Sequence, residues 1–213
     1  MVQTNEDAAQ GEIEAVVFDV GRVIVQWDLR YLFEKLIDDP EELDFVLSNV
    51  ITEAWHFEHD AGRPLAEMVA ERKAIFPAHG GLIDAYTARF LETIPGRIPG
   101  TADLIESLAE GGIPLYAITN FGAEFWAQFF PTEPLLTRFR DIVVSGSEKI
   151  VKPNPAIFQL AEDRFGHRSG AMLFIDDNQA NIDAARDLGW QVHHFSNAEQ
   201  LAIDLRNRGL VKA

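Results

Sequence analysis

The sequence predicts an α/β fold, in which a doubly wound and mostly parallel sheet carries an inserted all-helical unit. Beyond residue 100, short apolar β-branched runs alternate with amphipathic helical stretches, a pattern typical of a parallel sheet covered by helices. Between Asp28 and Ile94 only helical periodicity is found, over a length too great for a plain connection. These two patterns define the predicted fold class.

Composition excludes several classes of function. The 213 residues are 47% hydrophobic and 24% charged, as in ordinary globular proteins, and the net charge of -16 disfavours binding to a nucleic-acid backbone. The absence of cysteine excludes disulfides, thiol catalysis and zinc held by cysteine. There is no signal-peptide pattern and no apolar run of about 18 residues. We therefore expect a cytoplasmic protein without membrane contact, with a disordered lead-in over Met1–Gln10.

The stretch from Ala15 to Ile24 anchors the prediction. It begins as an apolar, β-branched run and changes abruptly at Asp19 and Gly21, which is typical of a strand buried on both faces. The strand would deliver Asp19 to the carboxyl edge of the sheet, where open α/β sheets bind ligands.

Four helices are predicted in the insertion. They run from Leu29 to about Asp38, from Leu43 to Val50, from about Pro64 to Phe76, and from Leu82 to about Thr93. An aromatic and histidine-rich segment, 55–62, lies between the second and third helices. We expect 28–94 to be a cap that acts as a lid, and 1–27 with 95–213 to form the core.

Prolines and glycines over 94–100 mark the return to the core, and strands and helices alternate beyond them. Helices are predicted over 101–110 with Thr101 as its cap, around 125–129, and over 152–165, 178–188 and 199–206; strands are predicted over 114–118, 141–145, 171–175 and 190–195. The cluster of Phe125, Trp126, Phe129 and Phe130 is interpreted as a buried helix face or as a contact in a homodimer, in preference to a ligand-binding site.

Acidic side chains end two of these strands. Asp19 follows the first strand, and Asp176 with Asp177 follows the run 171–175. Converging carboxylates repel one another unless a cation lies among them, and hard oxygen donors suit Mg²⁺. Two adjacent aspartates at a strand end favour a metal site over a purely structural role.

Three further residues supply groups that the same type of reaction would need. Thr119 and Asn120, after another strand, could hold a phosphoryl oxygen, and Lys152 supplies a compact positive charge. A carboxylate nucleophile, a metal, a hydroxyl and a lysine together indicate phosphoryl transfer through an aspartyl-phosphate.

These motifs, in this order, resemble those of the haloacid dehalogenase (HAD) superfamily from about Ala15 onward. The resemblance is closest to the phosphatase-like branch with a small helical cap, which includes the α-D-glucose-1-phosphate phosphatases. It implies a Rossmann-like core, Mg²⁺ as cofactor and a small phosphorylated substrate. It also implies a role for each motif residue: Asp19 as nucleophile and metal ligand, Thr119 and Asn120 as the phosphate-holding pair, Lys152 as the charge-neutralising lysine, and Asp176 and Asp177 as the metal-site acids.

Gly21 departs from the usual phosphatase motif, which has a second aspartate there to protonate the leaving group and activate water. The resemblance implies that the Gly21 carbonyl still contributes to the metal site. The missing acid would be worth roughly 10²- to 10⁴-fold in rate. Its absence implies a leaving group that needs little protonation, a substitute acid from the cap, or weak phosphatase activity.

Other residues near these motifs have two interpretations each. His56, His59 and Asp60 are either a substitute acid reaching over from the cap or solvated residues beside a turn. Arg22 either holds substrate phosphate or a sugar hydroxyl, or forms a surface salt bridge. Trp27 either lines the cap entrance or packs in the core.

The helix after the acidic pair carries two asparagines. We expect Asn178 to cap this helix and Asn181 to orient one of the acids.

Three functions follow from the sequence. The first is a Mg²⁺-dependent phosphatase for a small phosphomonoester such as a sugar phosphate. The second is an L-2-haloacid dehalogenase, which Gly21 permits but which Asp176 and Asp177 disfavour because they would repel a haloacid anion. The third is a binding or regulatory module with little turnover.

Overall fold

The computed structural model describes residues 11–212, and the predicted disordered lead-in, Met1–Gln10, lies outside them. The described residues form one five-stranded sheet of order β3-β2-β1-β4-β5, in which every neighbouring pair is parallel. The strands are β1 (Ala15–Phe18), β2 (Leu115–Thr119), β3 (Asp141–Val144), β4 (Met172–Asp176) and β5 (Gln191–His194). The predicted parallel α/β fold is confirmed.

The central strand β1 is buried on both faces, which explains its uninterrupted apolar sequence. Val16 and Phe18 belong to one hydrophobic cluster, whereas Ala15 and Val17 belong to another on the opposite face. The helices beyond residue 100 are α6 (Thr101–Glu110), α7 (Ala123–Phe129), α8 (Ser145–Glu148), α9 (Pro155–Phe165), α10 (Gln179–Asp187) and α11 (Ala198–Asn207).

The stretch between β1 and α6 is helical, as predicted. It contains α1 (Arg30–Phe33), α2 (Pro40–Phe45), α3 (Glu53–Asp60), α4 (Leu65–Ile75) and α5 (Gly80–Ala88), with a π-helical turn at Val46–Val50 and a 3₁₀ turn at Phe90–Thr93. The division into a core and a cap remains a prediction. No helix between residues 11 and 212 has the length and apolar character needed to cross a membrane.

Some predicted boundaries were wrong. Helix α1 ends at Phe33, well before the predicted Asp38, and the Asp39 side chain caps α2 instead. Thr101 is the first residue of its helix and not the cap, because Gly100 precedes it with a left-handed φ of 84°. The strands and the last two helices beyond residue 100 lie within one residue of their predicted limits.

Helix α3 was not predicted. Thr52 caps its start by accepting a hydrogen bond from the Trp55 amide at 3.0 Å. Its buried residues include His56, His59 and Asp60, so its inward face is largely polar. A search for apolar periodicity therefore does not detect α3.

Candidate active site

The predicted site residues meet where three strands end side by side. Asp19 follows β1 directly, Thr119 is the last residue of β2, and Asp176 is the last residue of β4. The chain leaves β1 for β2 and β3 on one side and returns to β4 on the other. This reversal of strand order opens a crevice at the carboxyl edge of the sheet, a usual place for ligands.

Lys152 lies at the centre of this edge and is almost fully buried. Its Nζ donates to Asp176 Oδ2 and to the Ile118 carbonyl, both at 2.7 Å, and lies 2.9 Å from Asp19 Oδ1. These three contacts match the three protons of the ammonium group. Burial alone would lower the pKa of Lys152, but attraction to Asp176 and Asp19 outweighs it and raises the pKa, so the lysine is cationic.

Asn120 and Thr119 lie at the end of β2 in different surroundings. The Asn120 side chain accepts from the Lys152 amide at 2.9 Å and donates to the Lys152 carbonyl at 3.0 Å, so it holds the lysine loop. Thr119 is buried and is not one of the residues lining the cavity described below. Their contacts with phosphate remain predictions.

Three carboxylates gather beside the lysine. Asp19, Asp176 and Asp177 each have an oxygen within 4.8 Å of the others. Burial raises the pKa of Asp19 to about 7; Lys152 opposes this, whereas Asp176 and Asp177 add to it. Burial and Asp176 also raise the pKa of Asp177. Clustered oxygen donors with raised pKa values fit a hard divalent cation such as Mg²⁺.

The two adjacent aspartates differ in their surroundings. Asp176 accepts from the Asn178 amide, from Lys152, and from Asn181 Nδ2, which lies 3.0 Å from both of its oxygens. Asp177 is half-buried, and no other side chain among residues 11–212 donates to its carboxylate. Asp177 is therefore the freer of the two to bind a cation. The prediction that Asn181 orients an acid is confirmed, and Asn178 caps α10 as expected.

A cavity of about 190 Å³ lies between the sheet edge and the helical segment. The sheet side of its wall includes Asp19, Gly21, Asn120, Lys152 and Asp177. The facing wall comes from the helical segment and includes Glu53, His56, Phe57, Asp60, Phe90 and Ile94. A Cβ added to Gly21 would meet nothing within 4 Å, so this part of the cavity is open.

The interpretation of His56, His59 and Asp60 as solvated residues is wrong, because all three are buried. His56 and Asp60 line the cavity, whereas His59 does not. Desolvation lowers the pKa of His56 to about 3 and raises the pKa of Asp60 to about 7. The Ser145 hydroxyl holds the end of α3 by donating to the Asp60 carbonyl at 2.6 Å.

The rim of the cavity carries an arginine and a tryptophan. Arg22 Nη2 lies 2.5 Å from Glu53 Oε1, and its guanidinium stacks 4.8 Å above the Trp27 ring. Both interpretations of Arg22 have support, since it forms a salt bridge and also lines the cavity. Trp27 lines the cavity and packs 4.8 Å from the His56 ring.

The aromatic cluster of α7 forms a core face, as the first of its two interpretations had it. Phe125 and Phe129 are buried, whereas Phe130 is 41% exposed. The predicted homodimer stays a prediction.

Sequence reasoning singled out His56 and Asp60 but missed Glu53, Phe57 and the helix α3 that carries all four. Glu53, His56, Phe57 and Asp60 all line the cavity, and they are spaced i, i+3, i+4 and i+7. This spacing is the helical signal that could have found them, had mostly polar residues been counted as an inward face.

Comparison with known sequences identifies relatives. The family described as haloacid dehalogenase-like hydrolase matches residues 13–189. A phosphoglycolate phosphatase from Yersinia pseudotuberculosis is 29% identical over 133 residues, which are 62% of this chain and 54% of that protein. The chain thus spans about half the length of that relative.

Solved structures share the fold. A HAD family enzyme from Bacteroides thetaiotaomicron has a TM-score of 0.72 at 20% identity, over 92% of this chain and 100% of its own. The same enzyme in complex with magnesium and inorganic phosphate gives 0.66 at 21% identity, over 87% of this chain and 95% of its own. An L-2-haloacid dehalogenase from Xanthobacter autotrophicus gives 0.61 at 16% identity, over 94% and 85%. The match over residues 13–189, together with the parallel sheet and the acids at its edge, leads to one conclusion: the chain belongs to the haloacid dehalogenase-like hydrolases.

Proposed function

We propose that the protein hydrolyses a small phosphomonoester in the presence of a divalent cation, through an aspartyl-phosphate on Asp19. The carrying observation is the cluster of Asp19, Asp176 and Asp177 around the buried ammonium of Lys152. The phosphoglycolate phosphatase relatives support a phosphatase, and the magnesium and phosphate complex of the Bacteroides enzyme supports the cofactor.

The chain's own groups have distinct parts in this reaction. Lys152 and the Val20 amide, 2.7 Å from Asp19 Oδ1, hold the Asp19 carboxylate in place for attack on phosphorus. Lys152 also offsets negative charge as the phosphoryl group transfers. Asn120 fixes the lysine loop, and Asn181 fixes Asp176.

The residues present fit a bound Mg²⁺, which would be held by Asp19, Asp177 and the Gly21 carbonyl, with Asp176 close by. When bound, the ion would neutralise the phosphate and polarise its phosphorus–oxygen bonds. Asp176 acts mainly through its hydrogen bonds to Lys152 and Asn181.

The cavity limits the size of the substrate. About 190 Å³ is below the usual range of about 300–1,000 Å³ for drug-sized ligands, so a phosphate with a leaving group of a few heavy atoms is favoured. Arg22 at the rim is placed to bind a hydroxyl or an anionic end of that group. We propose 28–94 as the cap and 1–27 with 95–213 as the core, since the cavity is lined from both.

The test is phosphate release from a panel of small phosphomonoesters, such as phosphoglycolate and sugar phosphates, with Mg²⁺ and with EDTA. We expect release with Mg²⁺, loss of release with EDTA, and loss in Asp19→Asn. Asp163→Asn, at an exposed position of α9, is the matched control and should keep the wild-type rate. Release that persists in Asp19→Asn would remove Asp19 from the chemistry.

The same samples test the two competing functions. Halide release from 2-chloropropionate in the presence of EDTA would indicate a dehalogenase. Tight binding of Mg²⁺ and phosphate without turnover of any ester would indicate a binding module.

A further inference from the structure

We propose that Asp60, on the cavity wall opposite Asp19, gives a proton to the leaving oxygen of the ester and then takes one from the attacking water. This inference rests on the proposed phosphatase function and assigns its proton donor. It follows from which polar groups of the cavity are already engaged and which are free.

Hydrolysis of an alkyl phosphate needs a proton donor, because a free alkoxide is a poor leaving group. Among residues 11–212, no side chain at the sheet edge is suited to this task once the three aspartates are assigned to attack and to cation binding. The three protons of Lys152 are directed at Asp176, Asp19 and a backbone carbonyl. Gly21 has no side chain, and the space beside it is open.

The facing wall offers three candidates. Glu53 is engaged by Arg22 at 2.5 Å, and its side chain is 58% exposed. Burial lowers the pKa of His56 to about 3, so its ring is neutral, and its Nδ1 is occupied by the Tyr86 hydroxyl at 2.6 Å. Asp60 is 5% exposed, and its Oδ1 is buried without a hydrogen-bond partner among residues 11–212.

Access to the cavity determines which Asp60 oxygen can deliver the proton. The fully buried Tyr86 hydroxyl lies 2.6 Å from His56 Nδ1 and, in the described part of the chain, has no other acceptor. Tyr86 therefore donates to Nδ1, and the neutral ring carries its proton on Nε2. That nitrogen faces Asp60 Oδ2 at 3.4 Å. Oδ1 is enclosed, whereas Oδ2 is not among the enclosed atoms and makes no hydrogen bond within residues 11–212, so the proton that can reach a substrate is the one on Oδ2.

The electrostatic surroundings agree with this assignment. Burial raises the pKa of Asp60 to about 7, and the opposing effects of His59 and the Gly122 amide are smaller. Burial likewise raises the pKa of Tyr86 well above its usual value, so Tyr86 keeps its proton. A carboxyl group with a pKa near the working pH can both give and accept a proton.

Bonds and protons balance in both steps of the proposed hydrolysis. In the first, an Asp19 oxygen forms a bond to phosphorus, the bond from phosphorus to the ester oxygen breaks, and that oxygen takes the Asp60 proton and leaves as an alcohol. In the second, the Asp60 carboxylate takes a proton from water while the water oxygen bonds to phosphorus. The Asp19–phosphorus bond then breaks, which releases inorganic phosphate and restores the Asp19 carboxylate and the neutral Asp60.

The experiment compares leaving groups in Asp60→Asn. Glycerol phosphate leaves as an alcohol and needs protonation, whereas 4-nitrophenyl phosphate leaves as a stabilised phenolate and needs little. We expect kcat/KM to fall by about 10²-fold or more for glycerol phosphate but by less than about 10-fold for 4-nitrophenyl phosphate. Glu53→Gln is the matched control, because it removes another cavity-lining carboxyl on the same helix. It should change kcat/KM for the two esters by the same factor.

Each outcome is decisive. An equal fall for both esters in Asp60→Asn, with wild-type turnover intact, overturns the role of Asp60 and leaves the phosphatase standing. Wild-type protein that hydrolyses neither ester overturns both proposals. If Asp60→Asn does not fold, wild-type rates over a series of esters replace it: a nearly flat dependence on leaving-group acidity supports the donor, and a steep one overturns it.

Discussion

Replacing Lys152 by methionine should destabilise the fold far more than an ordinary lysine substitution. The ammonium is buried between Asp19 and Asp176 and donates to a backbone carbonyl, so its loss leaves two buried carboxylates without their cation. Removing one partner from a buried ion pair costs about 3–5 kcal/mol. For a chain of this length, that loss corresponds to a fall in Tm of about 6–20 °C.

The loss should also depend on pH. Lys152 lowers the pKa of Asp19, so its removal raises that pKa further above about 7. A proton can then replace the missing cation at low pH. A group whose pKa is raised in the folded state loses stability as the pH rises through that pKa, so the variant should lose less at pH 5 than at pH 8.

The assay is urea unfolding at both pH values, without divalent cations. Lys73→Met is the matched control, because Lys73 pairs with Asp84 on the surface at 2.8 Å and should cost at most about 1 kcal/mol. A loss below about 1 kcal/mol for Lys152→Met, or an equal loss at both pH values, would refute the reasoning.

Three further predictions concern helix α3 and the residues that face it. Gly122→Ala should lower the free energy of unfolding in urea by about 1–3 kcal/mol, because the added Cβ would lie 1.9 Å from the buried His59 ring. Gly96→Ala is the control: its Cβ would meet nothing within 4 Å, so the loss should be under about 0.5 kcal/mol. In the Asp60→Asn background, Gly21→Asp should restore turnover of glycerol phosphate, and no recovery would contradict the view that this space can hold a proton donor. Asp60→Asn should also make the change in unfolding free energy between pH 5 and 8 less negative, because the raised Asp60 pKa makes folded protein lose stability as pH rises. His56 and Tyr86 keep their charge in the folded protein over this range, and the titration of His56 in the unfolded chain is common to wild type and variant, so an unchanged slope would exclude a titrating Asp60.

The sheet could be predicted because its strands are buried on both faces. Such strands have continuous apolar sequences that stand out from their surroundings, as the run ending at Phe18 does. The acids at the strand ends were equally visible, since Asp176 and Asp177 interrupt an apolar run. Parallel strands place their carboxyl ends at one edge, so sequence position alone predicted their convergence.

The helical wall could not be predicted by the same reasoning. The buried side of α3 is held by the hydrogen bonds of His56 to Tyr86 and of the Asp60 carbonyl to Ser145, and by aromatic contacts of His56, and polar residues give no hydrophobic signal. The role of Asn120 was also hidden, because its partner is the backbone of Lys152, more than thirty residues away. Contacts of this kind depend on the tertiary fold and leave no local pattern.

The Ser145 hydroxyl connects the sheet side of the cavity to its helical side. It accepts from the Phe121 amide at 3.0 Å and donates to the Asp60 carbonyl at 2.6 Å, so it joins the loop after β2 to the last residue of α3. The bridge therefore ties the end of α3 to the edge of the sheet that also carries Asp19, the proposed nucleophile. Under the proposed roles of Asp19 and Asp60, substrate would meet two walls that a hydrogen bond already joins.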